Sequence, residues 1–527
     1  MKTNFKAILK KALPIVLAAS VTVSFAGCGG PIEVERKSGS GEMPKTLTAF
    51  GSVSENQIKG GAQTRADLLP YKMAEEKTGC KVEWTSPTNS ARTEQFNLLI
   101  ASGNYPDLIV NYWNSATDGA KKYADDGVIV PISDYLDYMP NFKKYIEENP
   151  QIAKQFTEAD GTIYYAPSIR KDPELRTYVG PTIRKDWLDK LGLEMPTNTD
   201  ELYEVLKAFK TGDPNGNGEA DEIPFAGIGG DSWSFGIGNI LNAFNAHYSF
   251  YIKDGKVVHG MMEDEINAGL EYMSKLYNEG LIDPDYLIND QEKYDGKILN
   301  DRSGFFFGVQ PTTYYKTLND GTKLLVGVPY FGGICYNQEY KGDLCGEQVA
   351  ISSSCENPEG AAKYLDWFYS EEGMEAMSFG IEGETYHKVD GKRVIDEDYV
   401  FNNPNGLESS VVCASTYFSS YANFAGFQLW ELYSQTLSPW GRDAIKVWNE
   451  SADITNAIPP LKFTPEEIDE MSDDLLTIVT YVSEQFNSII IGRRSVDDLD
   501  EIRNELNKMG MEKVLKIYND AYARYIQ

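Results

Sequence analysis

The sequence has few of the side chains on which zinc sites and histidine-based catalysis depend. It contains only three histidines in 527 residues, His247, His259 and His387. Its six cysteines form neither a Cys-x-x-Cys pair nor a cysteine–histidine cluster, which argues against a zinc site. Apart from Cys28, each cysteine is expected to be a buried thiol, with a local Cys335–Cys345 bridge as the alternative. These five are Cys80, Cys335, Cys345, Cys355 and Cys413.

Positive charge is the second shortage. The chain carries 49 lysines and arginines against 79 aspartates and glutamates, a formal net charge of −30. A surface of this sign repels nucleic acid and anionic lipid headgroups, so nucleic-acid binding is excluded as the main function. It favours solubility and a neutral or cationic ligand. With 527 residues and 42% hydrophobic side chains, the chain can form about two or three domains with large cores.

Long apolar runs are absent except at the start of the sequence. Residues 1–27 combine four lysines with a mostly apolar run at 12–26, which is shorter than a membrane span of about 20 residues. Small residues then stand directly before Cys28, which resembles a bacterial lipobox. We predict that residues 1–27 are a signal peptide and that Cys28 is lipidated; an ordinary signal peptide followed by a chance cysteine is the alternative. Residues 28–45 are predicted to form a flexible tether, and the lipid on Cys28 would anchor the protein to the outer face of the cytoplasmic membrane.

The most informative stretch is a loop at residues 211–224 with oxygen-bearing side chains at every second position. Glycines between them let the backbone curl so that alternate side chains converge, and Ca²⁺ takes about 6–8 oxygen ligands. The loop is predicted to be an EF-hand-like calcium site, although Pro224 stands where the standard pattern has glutamate. A solvated turn is the alternative. The expected ligands are Asp213, Asn215, Asn217, the backbone carbonyl of Glu219, Asp221 and Glu222.

The first part of the mature chain alternates strand and helix patterns. The predicted order is strand 47–52, helix 63–78, strand 81–86, helix 92–102 and strand 107–110. This order is typical of a parallel sheet covered by helices. Ligands of such sheets bind beyond the carboxyl ends of the strands. Asn111, Tyr112 and Trp113 stand at one such end.

Further elements follow a predicted crossing into a second lobe at residues 160–167. They are a segment 182–191 that begins the second lobe, helices 199–210, 264–279 and 358–369, and a phenylalanine-rich strand 303–308. The N-terminal lobe is expected to comprise residues 46–165 and 300–345, and the C-terminal lobe residues 166–299 and 346–527. Each lobe is expected to be an α/β unit, a mostly parallel sheet flanked by helices.

Four segments together carry a resemblance that covers nearly the whole mature chain. They are residues 96–107 (FNLLIASGNYPD), 183–192 (IRKDWLDKLG), 213–222 (DPNGNGEADE) and 380–386 (GIEGETY). On these segments the sequence resembles extracellular solute-binding protein family 1, the lipoprotein component of sugar ABC importers. It is similar to the alginate-binding and LplA-type members of that family.

The resemblance implies a periplasmic-binding-protein-like fold of the class II type, with a hinge between two α/β lobes. It further implies that a monomer holds an oligosaccharide between the lobes, delivers it to the permease subunits of an ABC transporter and performs no covalent chemistry. In the alginate-binding relatives a loop of the 213–222 form holds a structural Ca²⁺, which implies the same ligand set here. The chain lacks an obvious basic cluster for a polyuronate, which argues against alginate itself.

Aromatic side chains are the candidates for sugar contacts, because sugar C–H faces stack on tryptophan and tyrosine. The sequence has 33 tyrosines and 8 tryptophans, many of which must belong to cores. The side chains expected in the cleft, each with core packing as its alternative, are Trp113, Tyr165, Trp233, Tyr314, Trp430 and Trp440. Asp107 is expected to accept a sugar hydroxyl or, alternatively, to cap the following turn. Trp187 and Trp367 stand at helical core positions.

Two other functions stay open on the sequence alone. An exported glycoside hydrolase or lyase would also combine two lobes, a calcium loop and many aromatics. Hydrolysis needs two carboxylates about 5–5.5 Å or 6.5–9.5 Å apart, and among 79 acidic residues no sequence context singles out a pair. An oligopeptide-binding lipoprotein would depend more on backbone hydrogen bonds than on stacking.

Overall fold

The computed structural model describes residues 39–113, 119–158, 160–229, 235–332, 342–417 and 424–526. In these residues the strands form two main sheets and three two-stranded ladders. The strands are β1 (Thr46–Phe50), β2 (Lys81–Thr85), β3 (Leu108–Asn111), β4 (Ile129–Val130), β5 (Ser168–Arg170), β6 (Val179–Arg184), β7 (Ile223–Ala226), β8 (Phe250–Lys253), β9 (Lys256–His259), β10 (Ser303–Val309), β11 (Leu325–Gly327), β12 (Gln348–Ser352), β13 (Tyr386–Val389), β14 (Lys392–Ile395) and β15 (Gly426–Gln428).

Helices cover the sheets and continue to the C-terminus. They are α1 (Glu55–Lys59), α2 (Leu69–Thr78), α3 (Arg92–Ser102), α4 (Gly119–Asp125), α5 (Pro140–Glu148), α6 (Pro150–Ala153), α7 (Lys185–Leu191), α8 (Thr199–Thr211), α9 (Ile266–Asn278), α10 (Gln291–Leu299), α11 (Thr312–Leu318), α12 (Pro358–Trp367), α13 (Glu371–Phe379), α14 (Glu397–Phe401), α15 (Ser409–Thr416), α16 (Trp430–Thr436), α17 (Pro439–Ser451), α18 (Pro465–Ile490), α19 (Leu499–Lys508) and α20 (Met511–Ile526). The 26-residue helix α18 begins with a capping box between Thr464 and Glu467, which satisfies free N–H groups of its first turn.

The first sheet has the strand order β2-β1-β3-β12-β4. β1 is parallel to β2 and to β3, as the alternation of strands and helices predicts, whereas β12 is antiparallel to β3 and β4. In β3, Leu108, Ile109 and Val110 are each 0% exposed. Such a continuous apolar run is typical of a strand that is covered on both faces.

The second sheet has the order β11-β6-β10-β7, with β10 parallel to β7 and antiparallel to β6. Because successive side chains of a strand point to opposite faces, Phe305 and Phe307 pack into one core and Phe306 into a smaller core on the other face. Gly180 of β6 lies under the ring of Trp448, where a Cβ atom would stand 2.5 Å from ring carbons. Glycine therefore allows α17 to pack directly on the backbone of β6.

The predicted α/β fold with two lobes is confirmed, and both sheets are mixed rather than mostly parallel. A parallel neighbour has to be reached through a crossover connection, usually a helix. β12 and β6 instead enter their sheets directly from segments that connect the two lobes. They therefore run against the strands that they join.

The division of the chain between the sheets differs from the predicted one. β10 and β11, within residues 300–345, belong to the second sheet, and β12, within residues 346–527, belongs to the first. The core of the first sheet takes its buried residues from 47–169 and 349–432, and the main core of the second from 179–331 and 437–517. An apolar strand has the same pattern in either sheet, so its pairing could not be predicted from the pattern.

Three connecting segments run between the two cores in the described part of the chain, and they contact one another. β5 is parallel to β15, and Ile169 of β5 also bridges to Leu344. The first segment continues into β6, whose Val179 pairs with Val309 at the end of β10. The second leads into β12, which begins opposite the end of β3. These two segments therefore connect the carboxyl edge of one sheet with the carboxyl edge of the other.

Cys80, Cys345, Cys355 and Cys413 are buried, as expected for cysteines of a core. Burial raises the pKa of the Cys80 and Cys413 thiols to about 12, which keeps them protonated and unreactive near neutral pH. Cys335 lies outside the described residues, and so do the predicted signal peptide and Cys28. In the described ranges no helix is both long and apolar enough to cross a membrane.

Two histidines in the second lobe predict a loss of stability in acid. Burial lowers the pKa of His247 to about 4 and that of His259 to about 3. Each Nδ1 atom accepts a backbone N–H, from Ser249 and from Met261. Because the unfolded chain binds these protons near pH 6.5, it holds more protons than the folded chain between about pH 3 and 6.5. The free energy of unfolding should therefore fall as the pH drops from about 7 towards 4.

Urea unfolding at several pH values tests this expectation. A His247→Asn/His259→Asn double variant keeps an acceptor near each Nδ1 position but does not titrate, so its free energy of unfolding should fall less over the same range. His387→Asn, at an exposed position, is the matched control. Equal pH slopes for the wild type and the double variant would contradict the role of these two histidines.

Candidate functional site

The predicted calcium loop lies between α8 and β7. Helix α8 ends at Thr211 before Gly212, and Asp213 takes a left-handed backbone conformation with a φ of +46°, which aspartate adopts more readily than most residues. β7 begins at Ile223 and contains Pro224, so a strand stands where an EF-hand has its second helix. The predicted calcium loop therefore lies in a helix–loop–strand segment and not in a helix–loop–helix one.

Backbone donors fix the side chains of three predicted ligands. The Asn217 N–H donates to Asn215 Oδ1 at 3.0 Å, and the Glu219 N–H donates to Asn217 Oδ1 at 2.7 Å. The Gly218 N–H donates to Asp213 Oδ2 at 3.2 Å. Each bond links a side-chain oxygen to the loop's own backbone, so the oxygen positions are set by the curl of the chain.

Two carboxylate oxygens of the loop remain without a donor. Asp213 Oδ1 and Glu222 Oε1 are buried and find no hydrogen-bond partner among the described residues. Burial raises the pKa of Glu222, and the charges of Asp221 and Asp213 raise it further. Buried carboxylate oxygens are costly unless a proton, a donor or a cation satisfies them. The donor set therefore fits a hard cation, which prefers oxygen ligands.

The carboxylates alone do not form a metal centre. In the part of the chain that the structure describes, no three histidine, cysteine, aspartate or glutamate side chains converge as a metal-binding group. The amide oxygens of Asn215 and Asn217 and a backbone carbonyl would have to complete the coordination, as the alternating pattern predicts.

A second group of polar side chains lies at the carboxyl edge of the first sheet. Ser52 follows β1, and Glu347 directly precedes the antiparallel strand β12. Glu347 accepts hydrogen bonds from Arg65 at 2.5 Å and from the Ser52 hydroxyl at 3.3 Å, and an Arg92 nitrogen lies 3.5 Å from it. Arg65 Nε also donates to the Ser52 carbonyl at 2.8 Å. One carboxylate therefore joins the ends of β1 and β12, directly through the Ser52 hydroxyl and indirectly through Arg65.

The Arg65–Glu347 ion pair is almost fully buried, because Arg65 is 1% and Glu347 3% exposed. Burial opposes the charged form of Arg65, but the charge of Glu347 and its hydrogen bond leave the pKa of the guanidinium raised. Arg92 is the accessible cation of the group, with 26% of its side chain exposed. Its guanidinium lies over the ring of Tyr112, 4.3 Å from the centroid, so it is held in a fixed plane beside the end of β3.

Aromatic and polar side chains also meet at the carboxyl edge of the second sheet. Gln310 follows β10, and its N–H donates to the carbonyl of Tyr178, which precedes β6. Arg170 of the first connecting segment lies over the Tyr178 ring at 5.6 Å. Helix α16 adds Tyr433, whose pKa is raised by burial against a hydrogen bond with Gln310, and Trp430, whose ring lies 6.1 Å from that of Tyr433.

Two predicted ligand residues of the first lobe have structural contacts. Trp113 is 1% exposed, and its indole N–H donates to the Ile109 carbonyl at 3.0 Å. Asp107 stands at the amino end of β3, the edge opposite the carboxyl ends, where it accepts the N–H of Thr48 at 2.7 Å and its hydroxyl at 2.8 Å. It is Tyr112, and not its neighbour Trp113, that lies beside Arg92 at the sheet edge.

The other predicted ligand residues are not brought together. Tyr165, Tyr314 and Trp440 are 5%, 4% and 7% exposed and pack in the cores. Trp430 is partly exposed and lies at the second edge beside Tyr433. Trp233 lies outside the described residues. Of the predicted aromatics in the described ranges, Trp430 alone therefore stands at a sheet edge with an exposed face.

Sequence reasoning missed the charged part of this site. Arg65 and Glu347 are 282 positions apart in the chain, and single charges at such a distance form no motif. The positions of Tyr112 and Arg92 could have been recognised from the sequence. Tyr112 stands at a predicted strand end, and Arg92 begins the helix after the second strand, so both belong near the carboxyl edge of the predicted sheet. The pairing of β12 with β3, which brings Glu347 to them, carries no local signal.

The arrangement is suited to binding a hydroxylated ring compound. Exposed ring faces can stack on apolar C–H surfaces, and guanidinium and amide groups can pair with hydroxyls. Both oxygens of Glu347 are engaged by arginines and Ser52, which leaves this carboxylate poorly placed for proton transfer to a ligand.

Comparisons with known proteins find this architecture in solute-binding proteins. A family model described as bacterial extracellular solute-binding protein matches residues 60–375. The fructooligosaccharide ABC transporter substrate-binding protein FusA of Streptococcus pneumoniae is 30% identical over 486 residues, which are 87% of this chain and 87% of FusA.

Solved structures agree with the sequence comparison. The crystal structure of an extracellular solute-binding protein from Bifidobacterium longum subsp. infantis has a TM-score of 0.75 at 25% identity and covers 93% of this chain and 100% of that chain. An EF-hand mutant of S. pneumoniae FusA in complex with fructo-nystose has a TM-score of 0.71 at 25% identity, over 92% of this chain and 99% of the other. These relatives are binding proteins rather than enzymes.

Replacing Glu347 by alanine should destabilise the first lobe, because it leaves Arg65 buried without its counter-charge. Removing one partner of a buried ion pair costs about 3–5 kcal/mol, and we expect a loss of that order in the free energy of unfolding in urea. Glu148→Ala, in the exposed Lys144–Glu148 pair at 3.8 Å, is the matched control and should change stability by less than about 1 kcal/mol. Losses of the same small size in both variants would contradict the structural role of the buried pair.

Proposed function

The chain belongs to the bacterial extracellular solute-binding protein family, and on that premise we propose that it captures an oligosaccharide between its two lobes and delivers it to the permease of an ABC transporter. The observation that carries this proposal is the path of two connecting segments, which join the carboxyl edges of the two sheets. Ligands of α/β sheets bind beyond these edges. The connecting segments therefore place two such edges where one ligand can contact both.

Each edge offers the two kinds of contact that a sugar needs. Tyr112 and Trp430 supply ring faces for the apolar side of a sugar ring. Arg92 supplies donors for its hydroxyls at the first edge, and at the second edge the amide of Gln310, 7% exposed and accepting the Thr312 N–H, lies behind the aromatic rings. Arg92 keeps a fixed orientation because it lies over Tyr112 and beside Glu347, so little conformational entropy is lost when it binds a ligand. Closure of the lobes around the sugar would exclude water from these contacts.

We propose a neutral oligosaccharide, with fructooligosaccharides as the first candidates. The net charge of −30 opposes the approach of polyuronates. At the first sheet edge, the charge of Arg65 is already neutralised by Glu347, so the exposed positive charge is that of Arg92. FusA, with 30% identity over most of both chains, is a fructooligosaccharide-binding protein.

We further propose that the protein is a monomer anchored to the outer face of the cytoplasmic membrane through a lipid on Cys28, and that it performs no covalent step on the sugar. The small residues before Cys28 support the anchor. Membership of an extracellular family supports the location, and the relatives' role as binding proteins supports the absence of catalysis.

Ca²⁺ is the ion that we propose for the loop at residues 213–222. The loop would hold it through the side chains of five residues and one backbone carbonyl: Asp213, Asn215, Asn217, the carbonyl of Glu219, Asp221 and Glu222. The buried carboxylate oxygens without a donor support this assignment, as does the existence of an EF-hand in the relative FusA. The ion would neutralise the carboxylates of Asp213, Asp221 and Glu222 and connect α8 to β7. Its role would therefore be structural, and it would not contact the sugar.

A thermal-shift screen of a soluble protein comprising residues 38–527 tests the ligand class. A true ligand at 100 times its Kd stabilises the folded state by about 2.7 kcal/mol, so fructooligosaccharides should raise the melting temperature clearly. Oligogalacturonates, milk-type oligosaccharides and a peptide library are screened alongside. A shift with peptides and with no glycan would overturn the sugar proposal.

An Arg92→Ala variant tests the proposed site. We expect about tenfold or weaker sugar binding by calorimetry, because a charge-assisted hydrogen bond to the sugar is lost, with little change in the melting temperature of the ligand-free protein. Lys45→Ala removes an exposed positive charge before β1, at the opposite edge of the same sheet, and should leave affinity unchanged. Equal affinities for the two variants would place the sugar elsewhere.

Chelation and an Asp213→Ala substitution test the calcium proposal. Removal of Ca²⁺ by EGTA should lower the melting temperature of the wild type by several degrees, and Asp213→Ala should abolish that difference while sugar binding at low temperature persists. Asp254→Ala is the matched control, because Asp254 has a similar left-handed φ of +50° in another turn. A melting curve unaffected by EGTA would exclude a structural Ca²⁺.

A further inference from the structure

Two basic side chains reach the oxygens of the calcium loop. Lys190 Nζ donates to the backbone carbonyls of Asp213 at 2.9 Å and Pro214 at 3.0 Å. Arg302 Nε lies 3.1 Å from Asp221 Oδ2 and donates to the Asp221 carbonyl at 3.2 Å. Lys190 touches backbone oxygens, whereas Arg302 contacts the carboxylate of a proposed metal ligand.

The backbone on both sides of Arg302 is fixed against the same loop. Arg302 directly precedes β10, and its carbonyl accepts the Ile223 N–H at 2.7 Å at the start of β7. The carbonyl of Asp301 accepts from Asn215 Nδ2 at 3.2 Å. The Asp301 side chain forms an ion pair with the buried Arg184. The backbone of Arg302 is therefore fixed beside the loop. Its guanidinium can leave Asp221 only through a change of side-chain rotamer.

The charges of the loop make this contact significant. Asp213, Asp221 and Glu222 carry three negative charges in one short loop, and the charges of the two aspartates act on Glu222. In the ligand-free protein the guanidinium of Arg302 offsets part of this repulsion through Asp221. A divalent ion needs the same Asp221 carboxylate and is repelled by a positive charge beside it. Arg302 keeps 43% of its side chain exposed, so its guanidinium has room to move from Asp221 into solvent.

We propose that Arg302 is an internal cation that sets the affinity of the loop for Ca²⁺. It stabilises the metal-free loop through Asp221 and has to share or release that carboxylate when the ion binds. Arg302 thereby weakens metal binding. It also makes the metal-free protein more stable than it would be if the three carboxylates had no positive charge beside them. This inference rests on the calcium site proposed above.

An Arg302→Gln variant tests the proposal by calorimetric titration of the full soluble chain with Ca²⁺. Removal of the competing charge should tighten Ca²⁺ binding by roughly three- to tenfold, the size of a partly exposed ion pair. The melting temperature in EGTA should fall below that of the wild type, and saturating Ca²⁺ should remove most of the difference. A merely structural role of Arg302 would lower stability in both conditions without tightening the binding of the ion.

Two further variants complete the test. Arg302→Lys keeps the charge and should bind Ca²⁺ with nearly wild-type affinity, and it preserves the comparison if the glutamine variant folds poorly in EGTA. Arg493→Gln removes an exposed arginine beyond the end of α18 and should change neither quantity. The role of Arg302 would be overturned if Arg302→Gln bound Ca²⁺ with unchanged or lower affinity, or if Arg302→Lys bound it three times more tightly or better. Either result would leave the calcium site itself intact. A wild-type protein that binds no Ca²⁺ would overturn the metal site and this inference with it, whereas the sugar experiments stand apart.

Discussion

The antiparallel pairing of β12 with β3 is the contact on which the rest of the structure depends. It brings a segment that follows the second sheet in the chain back into the first sheet, between β3 and β4. It also determines where the second connecting segment enters, and so which edges of the two sheets meet. Glu347 reaches Arg65 and Arg92 only because it directly precedes this strand. The proposed ligand site, the connection between the lobes and the buried ion pair therefore depend on the same strand pairing.

Local features of the fold could be predicted from the sequence, and long-range pairings could not. β1, β2, β3 and the helices between them follow from alternating apolar patterns, and the curled loop at residues 213–222 follows from its alternation of polar side chains and glycines, while its binding of Ca²⁺ stays a prediction. Which sheet receives β10 or β12 depends on contacts between distant segments. The aromatic candidates illustrate the same limit. Trp113 and Tyr112 are neighbours at a strand end, and the side to which each ring turns is decided by packing against Phe96 and Arg92.

The two proposed binding sites make opposite uses of charge. At the first sheet edge, a buried carboxylate orients arginines, so positive charge is held rigidly and one guanidinium remains accessible. At the proposed calcium loop, Arg302 lies beside the Asp221 carboxylate, while one oxygen each of Asp213 and Glu222 has no hydrogen-bond donor among the described residues, so negative charge remains available for a cation. Both sites lie at strand ends, where backbone positions are fixed by the sheet while side chains remain free to bind.

The discontinuous first sheet has a consequence for export. A chain that crosses a membrane with its amino end first delivers β1, β2 and β3 early, but β12 follows only after β11 at the end of the second sheet. In the described residues, β4 joins the sheet through β12 alone, so it has no strand partner until residue 352 has emerged. The amino-terminal lobe is therefore the last to complete its sheet. During that interval β3 would present an open edge, which is the kind of surface that pairs with other chains.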